Sequence, residues 1–530
     1  MTISLRFCAL FILTAAIIGP QMTVAATDSF VVSTGAGQVR GIPHGGGGAQ
    51  FLGIPYAEPP LGDLRWRPPV PAKHWTGVRN ANAYGTPCVQ PELGEWNRHD
   101  AALGREDCLY LNVDVPQWWA KEPLPVMVWI HGGSNLGGSG AGSLYNEGTL
   151  AAHCVVVVTI NYRLGIFGFL AHPALTAESA QHASGNYGLL DQILALKWVH
   201  ENIAKFGGDP QNVTVFSQSA GAMDTGMLMT SPLARDLFQK VIAESGTALA
   251  PPLTILATAE QHGIKAAALL DPEAKDTSSV AAIAEVRRTP AEELVTKTVL
   301  LFRAGLVGPD IDGWVIPRPP SQVFSSGQEA AIPLLIGTTT REFESSATPE
   351  ELRAVIGRSA GALSPKMLAL YGLDNGRQGD SDPKYGRAAD QWAADSLFRC
   401  PTIAEAARHT AAHHVVYEYE LDHAIPGRRF AVHSSELPYV FGYFPKEGTG
   451  GGAFGPVDVK LADLVQTYWT NFAKTGSPNS AGLADWEPFG ERQNYIQFLE
   501  SGAVEPAQGL RHAQCTLYLQ TLESKLIEGN

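Results

Sequence analysis

The sequence has 530 residues, with 38 Lys or Arg against 52 Asp or Glu, so its formal net charge is −14. Hydrophobic residues make up 45% and charged residues only 17%, which excludes disorder over most of the chain. The net negative charge repels a phosphate backbone, so nucleic acid is not an expected partner. Length alone suggests about three domains. Since no internal repeat or Pro/Ser-rich linker divides the chain, we predict one domain over residues 26–530.

The first residues have the pattern of a cleavable export signal. Arg6 precedes an apolar run from Phe7 to Ile18, and the small residues of the segment 23–25 offer a cleavage site. This run is shorter than the ~20 residues that a membrane-spanning helix needs, and no later stretch reaches that length. We therefore predict a signal peptide at residues 1–25, a secreted or periplasmic protein, and no stable insertion into a membrane.

The chain has six cysteines, and five remain once Cys8 is removed with the signal. An oxidising compartment then favours two disulfides and one free thiol. We expect Cys154 to be the free thiol, because it begins an apolar run to Ile160 that is typical of a buried strand. The remaining cysteines allow three pairings, which spacing alone does not separate. They are Cys88, Cys108, Cys400 and Cys515.

Short apolar runs alternate with helical stretches along the chain. The candidate strands are residues 126–130, 154–160, 213–216, 333–336 and 415–419. Residues 189–205 carry apolar side chains at helical spacing and precede two glycines. Runs that are apolar on both faces are typical of a central, largely parallel sheet covered by helices. The predicted class is therefore α/β, with a large, mostly parallel central sheet flanked by helices.

Three stretches rich in glycine or histidine resemble cofactor sites only superficially. Residues 44–48 lie between two short strand-like runs and predict a hairpin turn. Residues 450–455 contain G-x-G-x-x-G spacing, but no strand leads into them and no ribose-binding acid follows. His409 and His413 have i,i+4 spacing without a third ligand nearby, so we expect a solvated helix end. The sequence predicts neither a metal nor an organic cofactor.

The strongest signal for chemistry is the segment Val213–Ala222, where an apolar strand enters a tight turn and then a helix. A nucleophile elbow, G-x-S-x-G, holds its serine at the top of a sheet in a strained turn between small residues. Ser219 occupies the nucleophile position here, and Ser217 replaces the first glycine. A helix N-cap serine is the alternative explanation of this motif taken alone.

A glycine loop, His131–Gly138, follows the candidate strand at residues 126–130. Such a loop can direct successive backbone N–H groups into a cavity, where they bind an oxyanion together with the N–H after the nucleophile. The candidate donors are the N–H groups of Gly133, Ser134 and Ala220.

With these motifs, the chain resembles the type-B carboxylesterase/cholinesterase family of α/β-hydrolases from about Val31 to its C-terminus. Further matching segments occur in family order at residues 51–57, 106–112, 161–165, 185–191 and 206–210. The resemblance implies a serine esterase that hydrolyses a small-molecule carboxylic ester through an acyl-enzyme, without a cofactor.

The resemblance also identifies partners for Ser219. Glu342 follows an apolar strand, where the family has its acid, and His433 lies in a segment similar to the family's catalytic-histidine loop. The chain order of serine, acid and histidine is the one expected of this fold. His433 is the predicted general base and Glu342 the acid that orients it. Ser245 resembles a serine that supports the site in this family, although a buried structural hydroxyl would explain it equally well.

The same resemblance implies the disulfide pairs Cys88–Cys108 and Cys400–Cys515, which leaves Cys154 free.

Three departures from the family bear on the substrate. Gln218 stands where cholinesterases have Glu, and Ser134 and Asn135 stand where the family usually has Gly-Phe. Trp96 lies near the place of the choline-stacking tryptophan, but with different spacing, so a wall residue is the favoured interpretation. We therefore expect substrate contacts from Asn135, Gln218 and Trp96, little cholinesterase activity, and a preference for small to medium or polar esters.

Two alternatives remain at this stage. Lipases of the family cover the site with an apolar flap in the first disulfide loop, whereas residues 88–108 are rich in charge here. A lipase-like hydrolase of longer esters is therefore the less favoured enzyme. A non-catalytic binding protein of the same fold would lack the nucleophile, and the presence of Ser219, Glu342 and His433 together argues against it.

Overall fold

The computed structural model describes residues 30–118, 120–445 and 451–528. The predicted signal peptide and residue 450 of the glycine stretch lie outside them. The strands are β1 (Val31–Ser33), β2 (Gln38–Arg40), β3 (Ile42–His44), β4 (Gly48–Pro55), β5 (Val78–Asn80), β6 (Tyr110–Val115), β7 (Leu124–Ile130), β8 (Val156–Ile160), β9 (Gly208–Gln218), β10 (Lys240–Glu244), β11 (Thr254–Ile255), β12 (Asp310–Ile311), β13 (Leu334–Thr339), β14 (Ser381–Asp382), β15 (Gly386–Arg387), β16 (Val416–Leu421), β17 (Asn494–Phe498) and β18 (Val504–Gln508). The helices are α1 (Arg98–Leu103), α2 (Ser143–Asn146), α3 (Gly165–Phe169), α4 (Pro173–Glu178), α5 (Tyr187–Asn202), α6 (Ala220–Thr230), α7 (Leu256–Leu270), α8 (Val280–Val286), α9 (Ala291–Arg303), α10 (Pro320–Ser325), α11 (Pro349–Ala360), α12 (Ser364–Leu370), α13 (Ala388–Ala394), α14 (Cys400–Ala411), α15 (Leu437–Phe441), α16 (Pro456–Thr475) and α17 (His512–Glu528).

An eleven-stranded sheet has the order β18-β17-β16-β13-β10-β9-β7-β8-β6-β4-β3. Seven neighbouring strands, from β17 to β8 in that order, are parallel to one another. The strands outside this group pair antiparallel at both edges. The predicted α/β class is therefore confirmed, and each of the five candidate strands overlaps a strand of this sheet.

Strand β7 shows why the central runs are apolar throughout. Val126, Val128 and Ile130 pack into the core beneath one face, which also contains side chains of α5. Met127 and Trp129 pack into the core beneath the other face, against side chains of α16. Because successive side chains of a strand point to opposite faces, a strand covered by helices on both sides carries mostly apolar residues.

The two predicted disulfide pairs are present. Cys88 is bonded to Cys108 and Cys400 to Cys515, with Cα–Cα distances of 4.9 and 4.7 Å. Cys154 is also disulfide-bonded in the full-length chain, whereas the free thiol is a prediction for the chain after removal of residues 1–25. It lies outside the buried strand, which begins at Val156, and is half-buried in a left-handed turn with φ 64°.

The histidine pair predicted at a solvated helix end is separated instead. His409 is fully buried, whereas His413 lies beyond the end of α14. The Nδ1 atom of His409 lies 2.8 Å from Glu329 Oε1, and its Nε2 lies 2.8 Å from the carbonyl oxygen of Ile332. Glu329, His409 and His414 bring three potential metal ligands within 4.8 Å of one another, but both ring nitrogens of His409 are already hydrogen-bonded.

The glycine-rich segment after β3 forms the predicted hairpin turn, with His44 opposite Gly48 in the antiparallel pair β3–β4. Among the helices of the described residues, none is long and apolar enough to cross a membrane.

Candidate active site

The parallel strands bring the candidate residues to one edge of the sheet. Ser219 directly follows β9, Glu342 lies three residues beyond β13, and the glycine loop begins at the end of β7. His433 belongs to the connection that follows β16. Because the carboxyl ends of parallel strands lie at the same edge, residues distant in sequence meet there.

Ser219 has φ 56° and ψ −126°, a backbone conformation that side-chain-bearing residues adopt only under constraint. Its N–H donates to the carbonyl oxygen of Glu244 at 2.8 Å. Gly221 permits the turn, because a Cβ there would lie 2.3 Å from the carbonyl oxygen of Ile130. The strand-to-helix turn therefore exposes the Ser219 hydroxyl at the start of α6.

Ser217 occupies the elbow position where glycine is usual. It is fully buried, and its hydroxyl accepts a hydrogen bond from Thr225 Oγ1 at 2.9 Å. It also lies 3.4 Å from the carbonyl oxygen of Ile242. The Ser217 hydroxyl thus has polar neighbours, so this elbow accepts serine in place of glycine.

The three residues predicted as a triad are connected by hydrogen bonds. His433 Nε2 lies 2.8 Å from Ser219 Oγ, and His433 Nδ1 lies 2.5 Å from Glu342 Oε2. The second oxygen of Glu342 accepts hydrogen bonds from Ser245 Oγ at 2.8 Å and from the N–H of Thr339 at 2.9 Å. A carboxylate held in this way keeps the proton on Nδ1 and leaves the Nε2 lone pair facing the serine hydroxyl.

Aromatic side chains that the sequence interpretation did not single out pack around His433. The ring of Phe343 lies 4.5 Å from the imidazole, and the ring of Phe398 lies 5.0 Å from it, measured between centroids. Phe343 directly follows Glu342, and this position beside the predicted acid is the sequence signal for its contact with His433. Its side chain is 48% exposed, so it forms part of the surface beside Ser219.

The glycine loop after β7 has an unusual backbone. Gly133, Ser134 and Asn135 have φ angles of 109°, 60° and 55°. The N–H groups of Leu136 and Gly137 both donate to the carbonyl oxygen of Gly133 at 3.0 Å and close the turn.

Within the described residues, no acceptor is hydrogen-bonded to the N–H groups of Gly133, Ser134 and Ala220. The loop is adjacent to the nucleophile, because a Cβ built on Gly132 would lie 3.0 Å from Ser219 Cβ. In this part of the structure, these three N–H groups therefore remain available as donors beside the nucleophile.

Gln218 does not project into the space above Ser219. It is 3% exposed, and its Nε2 lies 3.2 Å from His433 Nε2. The side-chain amide of Gln218 therefore contacts the imidazole that faces the serine.

Asn135 also departs from the expectation of a substrate contact. Its side chain is buried behind the loop, where Nδ2 donates to Asp224 Oδ1 at 2.7 Å. Its Oδ1 lies 3.0 Å from the Tyr162 hydroxyl. Both polar atoms of this side chain are therefore engaged by partners within the protein. Ser134 is the exposed side chain of this pair.

Asp224 is a functional candidate that the sequence interpretation missed. It lies on α6, is fully buried, and accepts a second hydrogen bond from Gln192 Nε2 at 2.6 Å. Burial raises the pKa of its carboxyl group to about 7, while the hydrogen bonds from Asn135 and Gln192 act in the opposite direction. A signal was available in the sequence: an acidic residue interrupts the otherwise uncharged helix Ala220–Thr230.

Trp96 forms a wall of the site. Its side chain is 59% exposed, and its Cη2 lies 3.1 Å from the position that a Cβ on Gly133 would take. The tryptophan belongs to the loop that Cys88 and Cys108 close, and it lies against the glycine loop His131–Gly138, which we call the oxyanion loop.

Polar contacts join this disulfide loop to the oxyanion loop. Gln90 accepts from the N–H of Gly138 at 2.7 Å and donates to its carbonyl oxygen at 2.9 Å. Ser139 Oγ donates to Asp100 Oδ2 on α1 at 3.0 Å. Helix α1 is thus attached to the oxyanion loop.

The sequence profile of the Carboxylesterase family matches residues 28–518. Fumonisin B1 esterase from Sphingopyxis macrogoltabida is 38% identical over 491 residues, which cover 89% of this chain and 87% of that protein. A medium-chain fatty acyl-CoA hydrolase precursor from Anas platyrhynchos is 35% identical over 553 residues, covering 97% and 96%. The solved structure of a PNB esterase superimposes with a TM-score of 0.79 at 33% identity, over 92% of this chain and 99% of that chain.

Proposed function

The chain belongs to the carboxylesterase family, has an α/β-hydrolase fold and is a carboxylic ester hydrolase, and we propose that Ser219, His433 and Glu342 carry out its reaction. The observation that carries the assignment is the hydrogen-bonded chain from the serine hydroxyl through both imidazole nitrogens to the carboxylate. A serine hydroxyl is a weak nucleophile at neutral pH and needs such a base.

In the proposed acylation step, Ser219 Oγ forms a bond to the ester carbonyl carbon while His433 Nε2 takes the hydroxyl proton. Glu342 stabilises the resulting imidazolium through Nδ1. The carbonyl oxygen becomes an oxyanion, which the unused N–H groups of Gly133, Ser134 and Ala220 bind. The bond to the alcohol oxygen then breaks, and the proton on His433 passes to the leaving alcohol.

Deacylation repeats this sequence with water. His433 Nε2 takes a proton from the water, whose oxygen attacks the acyl carbon, and the same N–H groups bind the second oxyanion. The bond to Ser219 Oγ breaks, and the imidazolium returns its proton to the serine. The products are the free acid and the regenerated enzyme.

Covalent labelling tests this assignment. A dialkyl p-nitrophenyl phosphate should transfer its phosphoryl group to Ser219 Oγ with release of p-nitrophenolate, and peptide mass spectrometry should locate the adduct. Ser219→Ala should remain unlabelled and inactive, while Ser217→Ala, which removes the neighbouring hydroxyl, should still react. Labelling of Ser219→Ala at the wild-type rate would contradict the assignment.

We also propose that the enzyme prefers small to medium or polar esters. The exposed rings of Trp96 and Phe343 lie beside the oxyanion loop and His433, respectively, and would contact opposite ends of a bound ester. The exposed side chain of Ser134 adds a polar group on the oxyanion loop. The contact between Asp100 and Ser139 opposes the opening of α1 as an interfacial flap.

A panel of p-nitrophenyl esters with two to sixteen acyl carbons tests this preference, together with an ester of a polycarboxylic acid. We expect kcat/KM to be highest for short or polar acyl groups and little enhancement when a substrate forms micelles. A maximum at the longest chains with activation at an oil surface would support the lipase-like alternative instead.

Export of the enzyme is a further part of the proposal. Disulfides such as Cys88–Cys108 and Cys400–Cys515 form and persist in oxidising compartments, which agrees with the signal sequence predicted for residues 1–25. Cell fractionation and N-terminal sequencing of the mature enzyme should find it outside the cytoplasm and shortened near residue 25. A full-length, reduced enzyme in the cytoplasm would contradict export.

A further inference from the structure

We propose that the hydrogen bond between Asn135 and Asp224 positions the oxyanion loop relative to the nucleophile helix, an inference that rests on the proposed esterase mechanism. The bond joins residues 89 positions apart and is 2.7 Å long. We call these two residues the clamp. Neither side chain faces the substrate, so both are positioning residues and not catalytic ones.

The first argument is the conformation of the loop that the clamp holds. Ser134 and Asn135 both have positive φ angles, which are unfavourable for residues with a side chain. Such conformations persist only when the surrounding structure enforces them. Backbone contacts within the loop close its turn on Gly133, but they do not fix its distance from α6.

The second argument is what the clamp connects. Asn135 is next to Ser134, whose N–H is one oxyanion donor, and Asp224 lies one helical turn beyond Ala220, whose N–H is another. An oxyanion hole works only if donors from both segments converge on one oxygen. The clamp is a direct side-chain bond between these two segments.

The third argument is that both ends of the clamp are anchored. Asp224 is fixed from its other side by Gln192 on α5, at 2.6 Å. Asn135 is fixed through its carbonyl oxygen, which accepts from the N–H of Gly165 at 2.7 Å, and through Tyr162. The Tyr162 hydroxyl also lies 2.8 Å from the carbonyl oxygen of His131, at the start of the loop. The clamp therefore fixes the loop relative to helices α5 and α6.

The clamp consists of two polar side chains at buried positions. An amide at 135 without an acceptor would bury unpaired donors, and a carboxyl at 224 without donors would be more costly still. Each residue thus compensates the other, which predicts that the two substitutions are energetically coupled.

Four variants test the clamp: Asn135→Ala, Asp224→Ala, the double variant, and Asp224→Asn. In Asp224→Asn the amide can still accept from Asn135. The unpartnered Oε1 of Gln192 can receive its N–H after rotation of that side chain. Gln50→Ala is the matched control, because Gln50 is a buried amide that is hydrogen-bonded to the buried Asp114 and lies on β4, outside both the oxyanion loop and α6.

Activity is measured with p-nitrophenyl acetate per active site, counted by organophosphate titration. We expect Asn135→Ala and Asp224→Ala each to lower kcat about 10- to 100-fold with little change in KM, because displaced donors weaken binding of the transition state alone. The double variant should be no worse than the poorer single variant, and Asp224→Asn should retain kcat within about threefold of wild type. Gln50→Ala should lower thermal stability but not kcat.

Hydrogen exchange of the resting enzyme supplies a readout that does not depend on catalysis. Amides in residues 131–140 should exchange faster in Asn135→Ala and Asp224→Ala than in wild type or Gln50→Ala. Unchanged exchange and unchanged kcat in Asn135→Ala would overturn the clamp, as would additive losses in the double variant. An inactive wild type would instead contradict the proposed esterase function, whereas the exchange data would still decide the clamp.

Discussion

The side chains of Ser219 and His433 meet at 2.8 Å, although 214 positions separate them in the sequence. This contact depends on the parallel sheet, because strands β9 and β16 end at the same edge. His433→Ala removes the only base within reach of the serine in the proposed mechanism. We expect kcat to fall by at least about 10⁴-fold with a small change in KM, measured on p-nitrophenyl acetate. His413→Ala, which alters an exposed histidine, is the control and should retain full activity.

Glu342→Gln should lower kcat while the protein remains folded. The amide oxygen can replace Oε2 as an acceptor, but a neutral group does not stabilise the imidazolium, so a loss of about 10³- to 10⁴-fold is expected. Ser245→Ala removes one of the hydrogen bonds to Oε1 and should cost about tenfold. A Glu342→Gln variant with wild-type kcat would show that another group orients His433.

The elbow predicts opposite outcomes for two small residues. Gly221→Ala places a Cβ 2.3 Å from the carbonyl oxygen of Ile130, so it should displace the turn and abolish organophosphate labelling. Ser217→Gly deletes a side chain that the site merely accommodates, and its kcat should stay within about threefold of wild type. Equal activity of both variants would contradict the steric interpretation of this elbow.

Asp224 predicts a pH-dependent contribution to stability. Its pKa is about 7 in the folded protein and about 3.9 when unfolded. Between these values the folded state binds a proton that the unfolded state lacks, so the free energy of unfolding falls as pH rises. Asp224→Asn should therefore gain in thermal midpoint relative to wild type between pH 4 and pH 7. A constant difference across that range would show that Asp224 is ionised throughout.

The sequence predicted the central part of the fold better than its edges. Strands such as β7 and β9 are apolar on both faces, and burial of both faces leaves a recognisable run. At the antiparallel edges, where composition is mixed, the sequence predicts the β3–β4 hairpin from its glycine-rich turn but does not predict β18. Cys154 was assigned to a strand that begins two residues later, because an apolar run does not specify where the chain turns.

Side-chain direction was the least predictable feature of the candidate site. The motifs located Ser219, Glu342 and His433, which lie together in the structure. Asn135 was placed beside the substrate, but its positive φ turns the side chain behind the loop towards Asp224. The residues next to Asn135 in the sequence do not indicate this side-chain direction, because the partner that stabilises it, Asp224, lies 89 positions away.

The attachment of the first disulfide loop to the oxyanion loop couples the size of the substrate site to the position of the oxyanion donors. In the proposed mechanism a bound ester meets Trp96, which belongs to the same disulfide-closed loop that Gln90 connects to the loop with the proposed oxyanion donors. A bulky group that pushes this wall outward therefore also shifts the charge-stabilising amides. Discrimination by size should consequently emerge as slower turnover of oversized esters and not as weaker binding, so that large esters become competitive inhibitors of small ones.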